Sequence, residues 1–94
     1  MNITGFIWLD DILEKLEQKH GVYQAEVREV FGNAPRFRLV EKGHRRGENV
    51  YFAAGQTDSG RYLIVFFVHK KDQRALILSA RDMTPSERRS NEQK

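Results

Sequence analysis

Arginine is the residue type in this chain with the most chemistry to offer. Arg61 is expected to open one β-strand and Arg81 to close the next, in a hairpin whose tip lies near residues 71 to 73. That spacing sets residue 61 opposite 81, 82 or 83, so both guanidiniums fall at one end of the hairpin. Whether they share a face depends on register, since a slip of one residue turns a side chain to the other face. Two guanidiniums held close together repel unless an anion lies between them. Phosphate fits, because arginine offers a planar fork of donors and keeps its charge at any ordinary pH. The plain alternative pairs Arg81 with Asp82 or a nearby glutamate, a surface ion pair worth about 0–1 kcal/mol.

Other candidates are more scattered. Trp8 precedes the first predicted helix and reads either as a stacking platform for a nucleic-acid base or as a core anchor beside Ile12. His44, Arg45 and Arg46 lie in a glycine-flanked basic loop, KGHRRG, which is a phosphate clamp or a solvated loop. Lys70 and Lys71 read as solubilising residues of a hairpin tip. His69 ends an apolar strand and is of a type that titrates near neutral pH. The three histidines are isolated, with no second ligand at helical spacing, so no zinc site is expected. With no cysteine there is no disulfide, thiolate site or thiol nucleophile. No phosphate-binding glycine loop ends in Lys-Ser/Thr, and no serine sits in a nucleophile elbow.

These residues must be positioned by one small domain, expected to span residues 1–94. A chain of this length buries roughly 60% of its unfolded surface, enough for a single core. Charged residues make up 31% of it, yet aromatics reach 11%, which argues against disorder. The formal net charge is +3, unevenly spread. Residues 1–35 hold 3 bases and 6 acids, and residues 36–94 hold 13 bases and 7 acids. A basic half of this kind raises the local concentration of anionic partners. The longest apolar run, Leu63 to Val68, is too short for a membrane span. The N-terminal MNITGFIWLDD has no basic segment before its apolar residues, so no signal peptide and a cytoplasmic location are expected.

Leu9, Ile12, Leu13 and Leu16 recur at helical spacing, and Gly21 supplies a left-handed stop. A second helix fits Gln24 to Phe31, with Val27, Val30 and Phe31 inward. From Arg36 the period becomes two. Strands are expected over Arg36–Val40, Asn49–Ala54, Arg61–His69 and Arg74–Ala80, with a turn at residues 57–60. The third strand is apolar on both faces in its middle and so reads as central. Thr84-Pro85-Ser86-Glu87 spells a capped helix start, and the polar residues 86–94 are expected to fray. The predicted fold class is α+β: two N-terminal helices packed on a four-stranded antiparallel sheet, with a short C-terminal helix.

Three stretches together resemble a known family. They are KHGV (Lys19–Val22) with Glu29-Val30-Phe31 after it, GENVYFAAGQTDSGRYLIVFF (Gly47–Phe67), and SARDMTPSERR (Ser79–Arg89), with Phe6-Ile7-Trp8 upstream. The set is similar to the BrnT family of type II toxin–antitoxin ribonucleases, within the RelE/ParE superfamily. The resemblance covers nearly the whole chain, and it implies a RelE/ParE-like fold and RNA cleavage that blocks translation. It also implies neutralisation by a cognate antitoxin of ribbon-helix-helix type in a hetero-oligomer, with operator DNA contacted only through that antitoxin. The implied reaction uses no metal or other cofactor: a ribose 2′-hydroxyl attacks the adjacent phosphate, and fixed cations stabilise the charge that develops.

By motif, the resemblance assigns Arg61 and Arg81 to phosphate stabilisation. It makes Glu48 a base or an orienting group, and it brings Trp8 and Arg88 near the RNA. Two departures stand out. Leu9 follows the tryptophan where many relatives have aspartate, and Ser90 follows ERR where an aromatic is common. The alternative function is a catalytically inert relative that binds antitoxin or nucleic acid in transcriptional autoregulation. A basic concave face and an apolar third strand that two short helices cannot hide both point to a protein partner.

Overall fold

The sheet is built around the strand that the apolar run predicts to be central. In the computed structural model, which describes residues 1–92, that strand is β4 (Tyr62–His69). The sheet order is β1 (Gly5–Ile7), β5 (Arg74–Asp82), β4, β3 (Val50–Gln56) and β2 (Arg36–Glu41). The expected four-stranded antiparallel sheet is therefore corrected to a five-stranded mixed one, because β1 runs parallel to β5. Three residues are too few to show an alternating pattern. β1 is fixed from outside instead: the Thr4 amide donates to the Gln73 carbonyl at 3.0 Å, and the Thr4 hydroxyl donates to the Asp72 carbonyl at 3.0 Å.

There are three helices among the described residues. α1 (Asp10–Lys15) continues without a break into a π-helical turn, Leu16–His20, which closes on Gly21 at φ 60°. α2 (Gln24–Gly32) buries Val27 and Val30 completely. Leu9, expected at the head of the inward stripe, precedes α1 and is 45% exposed, whereas Leu16 is 2% exposed. α3 (Pro85–Glu92) starts as its sequence signals. The Glu87 amide donates to the Thr84 hydroxyl at 3.1 Å, and the Thr84 amide donates to the Glu87 carboxylate at 2.8 Å. The segment expected to fray is helical as far as Glu92, and its last two residues lie outside the described residues. No helix is long and apolar enough to cross a membrane.

Alternation assigns the two faces of the sheet. Leu63, Val65 and Phe67 of β4, with Ala53, Ile77 and Ala80 beside them, are buried against Leu16, Val22, Val27 and Val30. Phe67 is the hub, with the rings of Phe31, Phe37 and Tyr51 at 5.2, 6.0 and 6.0 Å from its own. The intervening residues of β4 point to the opposite face, away from α1 and α2. In the β4–β5 ladder Phe66 faces Ser79 but Phe67 faces Ile77, so Leu78 is the extra residue of a β-bulge.

Truncating the hub should remove much of the 5–15 kcal/mol typical of a domain. Phe67→Ala is expected to cost about 3–5 kcal/mol in urea denaturation. Phe67→Leu, which keeps most of the volume, should cost less than about 1.5 kcal/mol.

Candidate functional site

Arg61 lies just before β4, on the helix side of the sheet. Its Nε and Nη2 donate to the two oxygens of Asp82 at 2.8 and 3.0 Å. Nη1 donates to the Gly21 carbonyl at 2.8 Å and to Glu26 at 3.2 Å, and Nη2 donates to the His20 carbonyl at 3.1 Å. All three guanidinium nitrogens are thus engaged by the chain itself. The Asp82 carboxyl is held below its usual range, with the Arg61 hydrogen bond as the main cause. The Arg61 pKa is raised by the same bond.

Arg81 occupies the other face. It pairs with Ile64, not with residue 61; the bulge moves it there from the place opposite Leu63 that the turn-side register would give. The expected register is therefore corrected, and the two arginines share an end of the hairpin without sharing a face. Arg81 makes a two-pronged bond to Glu87, with Nη1 to Oε1 at 2.7 Å and Nη2 to Oε2 at 2.9 Å, and its guanidinium lies 5.7 Å from the Phe66 ring centre. Hydrogen bonding from Arg81 pulls the Glu87 carboxyl down to about 2, with the Thr84 amide adding to the effect. Both first-choice arginines thus carry carboxylate partners from their own chain.

Cross-strand register puts further residues beside Arg81 that sequence reasoning passed over. One row across the open face runs Arg36, Ala54, Ile64, Arg81, and the next runs Arg38, Phe52, Phe66, Ser79. The arginines of the first row, on the outer two of four neighbouring strands, stand about 14 Å apart at ordinary strand spacing. Phe52 and Phe66 are half-buried at the centre of the second row, with ring centres 6.2 Å apart. Among the described residues Arg36 and Arg38 enter no ion pair, and the buried Arg36 Nε has no hydrogen-bond partner. The strict alternation of β2 was the signal for these two arginines. α3 is tied to the same face: Arg88 lies 4.1 Å over the Tyr62 ring, and the Tyr62 hydroxyl donates to Glu92 at 3.2 Å.

The remaining candidates lie elsewhere. Trp8 is half-buried on the helix side, 5.9 Å from the Phe6 ring, with Arg28 over its own ring at 5.9 Å and its indole N–H buried without a partner. His44, Arg45, Arg46 and Glu48 belong to the β2–β3 loop, at the opposite end of the sheet from Arg81. There the Glu48 carboxylate accepts the Arg45 amide at 3.0 Å. A cleft of about 770 Å³ beside α3 is lined by Asp58, Tyr62, Asn91 and Glu92, among others. It holds two carboxylates and no lysine or arginine, which makes it unsuited to a phosphate.

These features define the class: a small basic α+β chain whose α1 and α2 cover one sheet face, while α3 packs on one end of the other and leaves an arginine-flanked, aromatic stretch of it open. The sequence matches the family described as "Ribonuclease toxin, BrnT, of type II toxin-antitoxin system" over residues 8–87. The chain belongs to that family of ribonuclease toxins. No curated protein matches the chain.

The two arginine clusters should separate by experiment. Arg61→Ala leaves two carboxylates and two helix-end carbonyls without their donor and should cost about 2–3 kcal/mol in chemical denaturation. Glu87 contributes differently. Its folded pKa lies below the ordinary 4.5, so its stabilisation is complete above that value and is lost as pH falls toward about 2. After allowance for solvent screening this is about 1–2 kcal/mol. Thermal melts of Glu87→Gln should show that loss at pH 7 and a flatter decline than wild type between pH 4.5 and 2.

Proposed function

We propose that this chain is a metal-independent endoribonuclease that works on its open sheet face. In this reading it is held inactive in the cytoplasm by a ribbon-helix-helix antitoxin that covers the same face. The observation that supports this reading is the row-by-row register: guanidiniums on β2 and β5 flank two half-buried phenylalanines on the sheet face that α1 and α2 leave uncovered. Flat aromatic side chains on a sheet suit unstacked bases, which is how single-stranded RNA is commonly held. Family membership supplies the reaction class. The antitoxin, in turn, carries the contact to operator DNA.

The chemistry follows from the substrate. The ribose 2′-oxygen forms a bond to phosphorus while the bond to the 5′-oxygen breaks, leaving a 2′,3′-cyclic phosphate and a 5′-hydroxyl. One proton leaves the 2′-hydroxyl and one joins the departing oxygen. Charge gathers on the phosphoryl oxygens, and a fixed guanidinium there lowers the barrier without having to reorganise. Arg81 is assigned this role, with the phosphate replacing Glu87 on its fork. Arg36 and Arg38 hold neighbouring phosphates, and Arg88 borders the same face. Arg61 and Glu48 serve as framework, the one anchoring helices and the other shaping a loop.

A second reading is favoured by one specific contact. Arg81 already has Glu87 as a full partner, as an inert relative that only binds antitoxin or nucleic acid would allow. One assay separates the two. Purified wild-type chain should cleave single-stranded RNA, and its induced expression should arrest growth. Arg81→Ala should lower the cleavage rate by about 10²–10³, and Arg81→Lys, which retains a charge toward Glu87, should also fall well short of wild type. Cooperative melting of both variants makes the loss chemical. Unchanged cleavage by Arg81→Lys would remove Arg81 from the site, and no cleavage by wild type would favour the inert reading.

A further inference from the structure

The β2–β3 loop and the β4–β5 turn meet at the end of the sheet farthest from Arg81, and their meeting gathers cations. A Cβ on Gly47 would lie 2.9 Å from the Lys71 amide nitrogen, so only glycine lets the loop press against the turn there. Gly47 also has φ 81°. Gly43 is equally confined, since a Cβ would lie 2.6 Å from the Glu48 carbonyl oxygen. The Gly43 amide donates to Asn49 Oδ1 at 2.8 Å, and the Arg45 amide to Glu48 at 3.0 Å. The loop is thus shaped by its own chain, and Arg45, Arg46, Lys70 and Lys71 line one cleft.

Glu48 and Asp72 line the same cleft, so its four cations are offset only in part and it stays net positive. Among the described residues none of the four enters an ion pair. The two closest carboxylates are otherwise engaged. Glu48 accepts a loop amide, and Asp72 accepts Arg74 Nε at 2.7 Å. Like charges gathered in one cleft repel one another, so a preformed cluster of this kind favours an added polyanion.

We propose that this cluster is a second RNA-binding site, a sequence-independent anchor for backbone phosphates. The proposal rests on the ribonuclease reading, because it concerns how the same RNA is held away from the cleaved bond. Arg45, Arg46 and Lys71 are exposed and Lys70 is half-buried, with Tyr51 and His69 in the adjoining cleft; the cations themselves suit phosphate positioning, which carries no sequence information. Arg81 stands opposite Ile64, and Lys70 lies six residues further along the strand, so at about 3.3 Å per residue the anchor sits about 20 Å away and engages RNA several nucleotides from Arg81.

The test is the salt dependence of binding to an uncleavable probe, a single-stranded 2′-O-methyl oligoribonucleotide long enough to span the sheet, followed by fluorescence anisotropy. Removing one phosphate-binding cation should lower the slope of log affinity against log salt by about 0.7. A chain carrying Arg45→Gln, Arg46→Gln, Lys70→Gln and Lys71→Gln together should show a slope smaller by about 2–3. Lys70→Gln with Lys71→Gln alone should show about half that change, which guards against misfolding of the fourfold variant. An unchanged slope in both would overturn the anchor. So would an unchanged slope combined with failure to retain the co-expressed antitoxin, which would assign the cluster to an acidic protein surface. Failure of wild type to cleave RNA would instead defeat the ribonuclease reading, and the slopes would remain measurable because the probe is never cleaved.

Discussion

The guanidinium of Arg61 is the constraint on which the arrangement depends. It joins the end of the first helical segment at His20 and Gly21 and the start of α2 at Glu26 to the end of β5 at Asp82, which is far away in sequence. The first of these is a helix C-terminus, where unpaired carbonyls carry partial negative charge and a cation is favourable. A planar fork can meet two carboxylates and two carbonyls at once, and a lysine could not. By fastening the helical pair to one end of the sheet, Arg61 commits one face to the core and leaves the other to α3 and solvent.

The β-bulge at Leu78 decides what that second face carries. Beyond the bulge toward the turn, Phe67 faces Ile77 and His69 faces Ala75. Had this register continued unbroken, Arg81 would have faced Leu63 on the helix side, near Arg61. The extra residue turns Arg81 outward and sends Asp82 inward, so an arginine that would have repelled Arg61 is exchanged for a carboxylate that pairs with it. One inserted residue therefore builds the structural clamp and the open arginine face together.

Much of this was legible in the sequence, for local reasons. The Gly21 stop, the α2 span and the Thr84–Glu87 capping box are short-range signals, and the structure contains each. The apolar run of β4 marked a central strand because only a strand covered on both sides tolerates it. β1 was not legible: three residues carry no period, and their pairing is parallel to a strand more than 60 residues away. The bulge had no sequence mark either, so the facing of Arg61 and Arg81 stayed open until the ladder was known. Arg36 and Arg38 were readable as one face of β2, but their row partners depended on two further registers.

The arginines and lysines divide into those already satisfied and those without a partner, and the division follows the fold. Arg61, Arg74, Arg81 and Arg88 hold carboxylates within the chain, and each ties an element or turn in place. Arg36, Arg38, Arg45, Arg46, Lys70 and Lys71 have no such partner among the described residues, and they occupy the open face and the far end of the sheet. The lopsided charge of the sequence thus becomes spatial. The six acids of the first 35 residues outnumber the three bases there, Lys15, Lys19 and Arg28, and lie on the helices or at their ends, on the covered side, while most bases without a carboxylate partner lie elsewhere. A polyanion approaching this domain is drawn to the open face and the loop end, and the helical side repels it. Arg81 is the intermediate case: its fork is held by Glu87 but lies on the attractive face, so a phosphate competes there with an internal carboxylate.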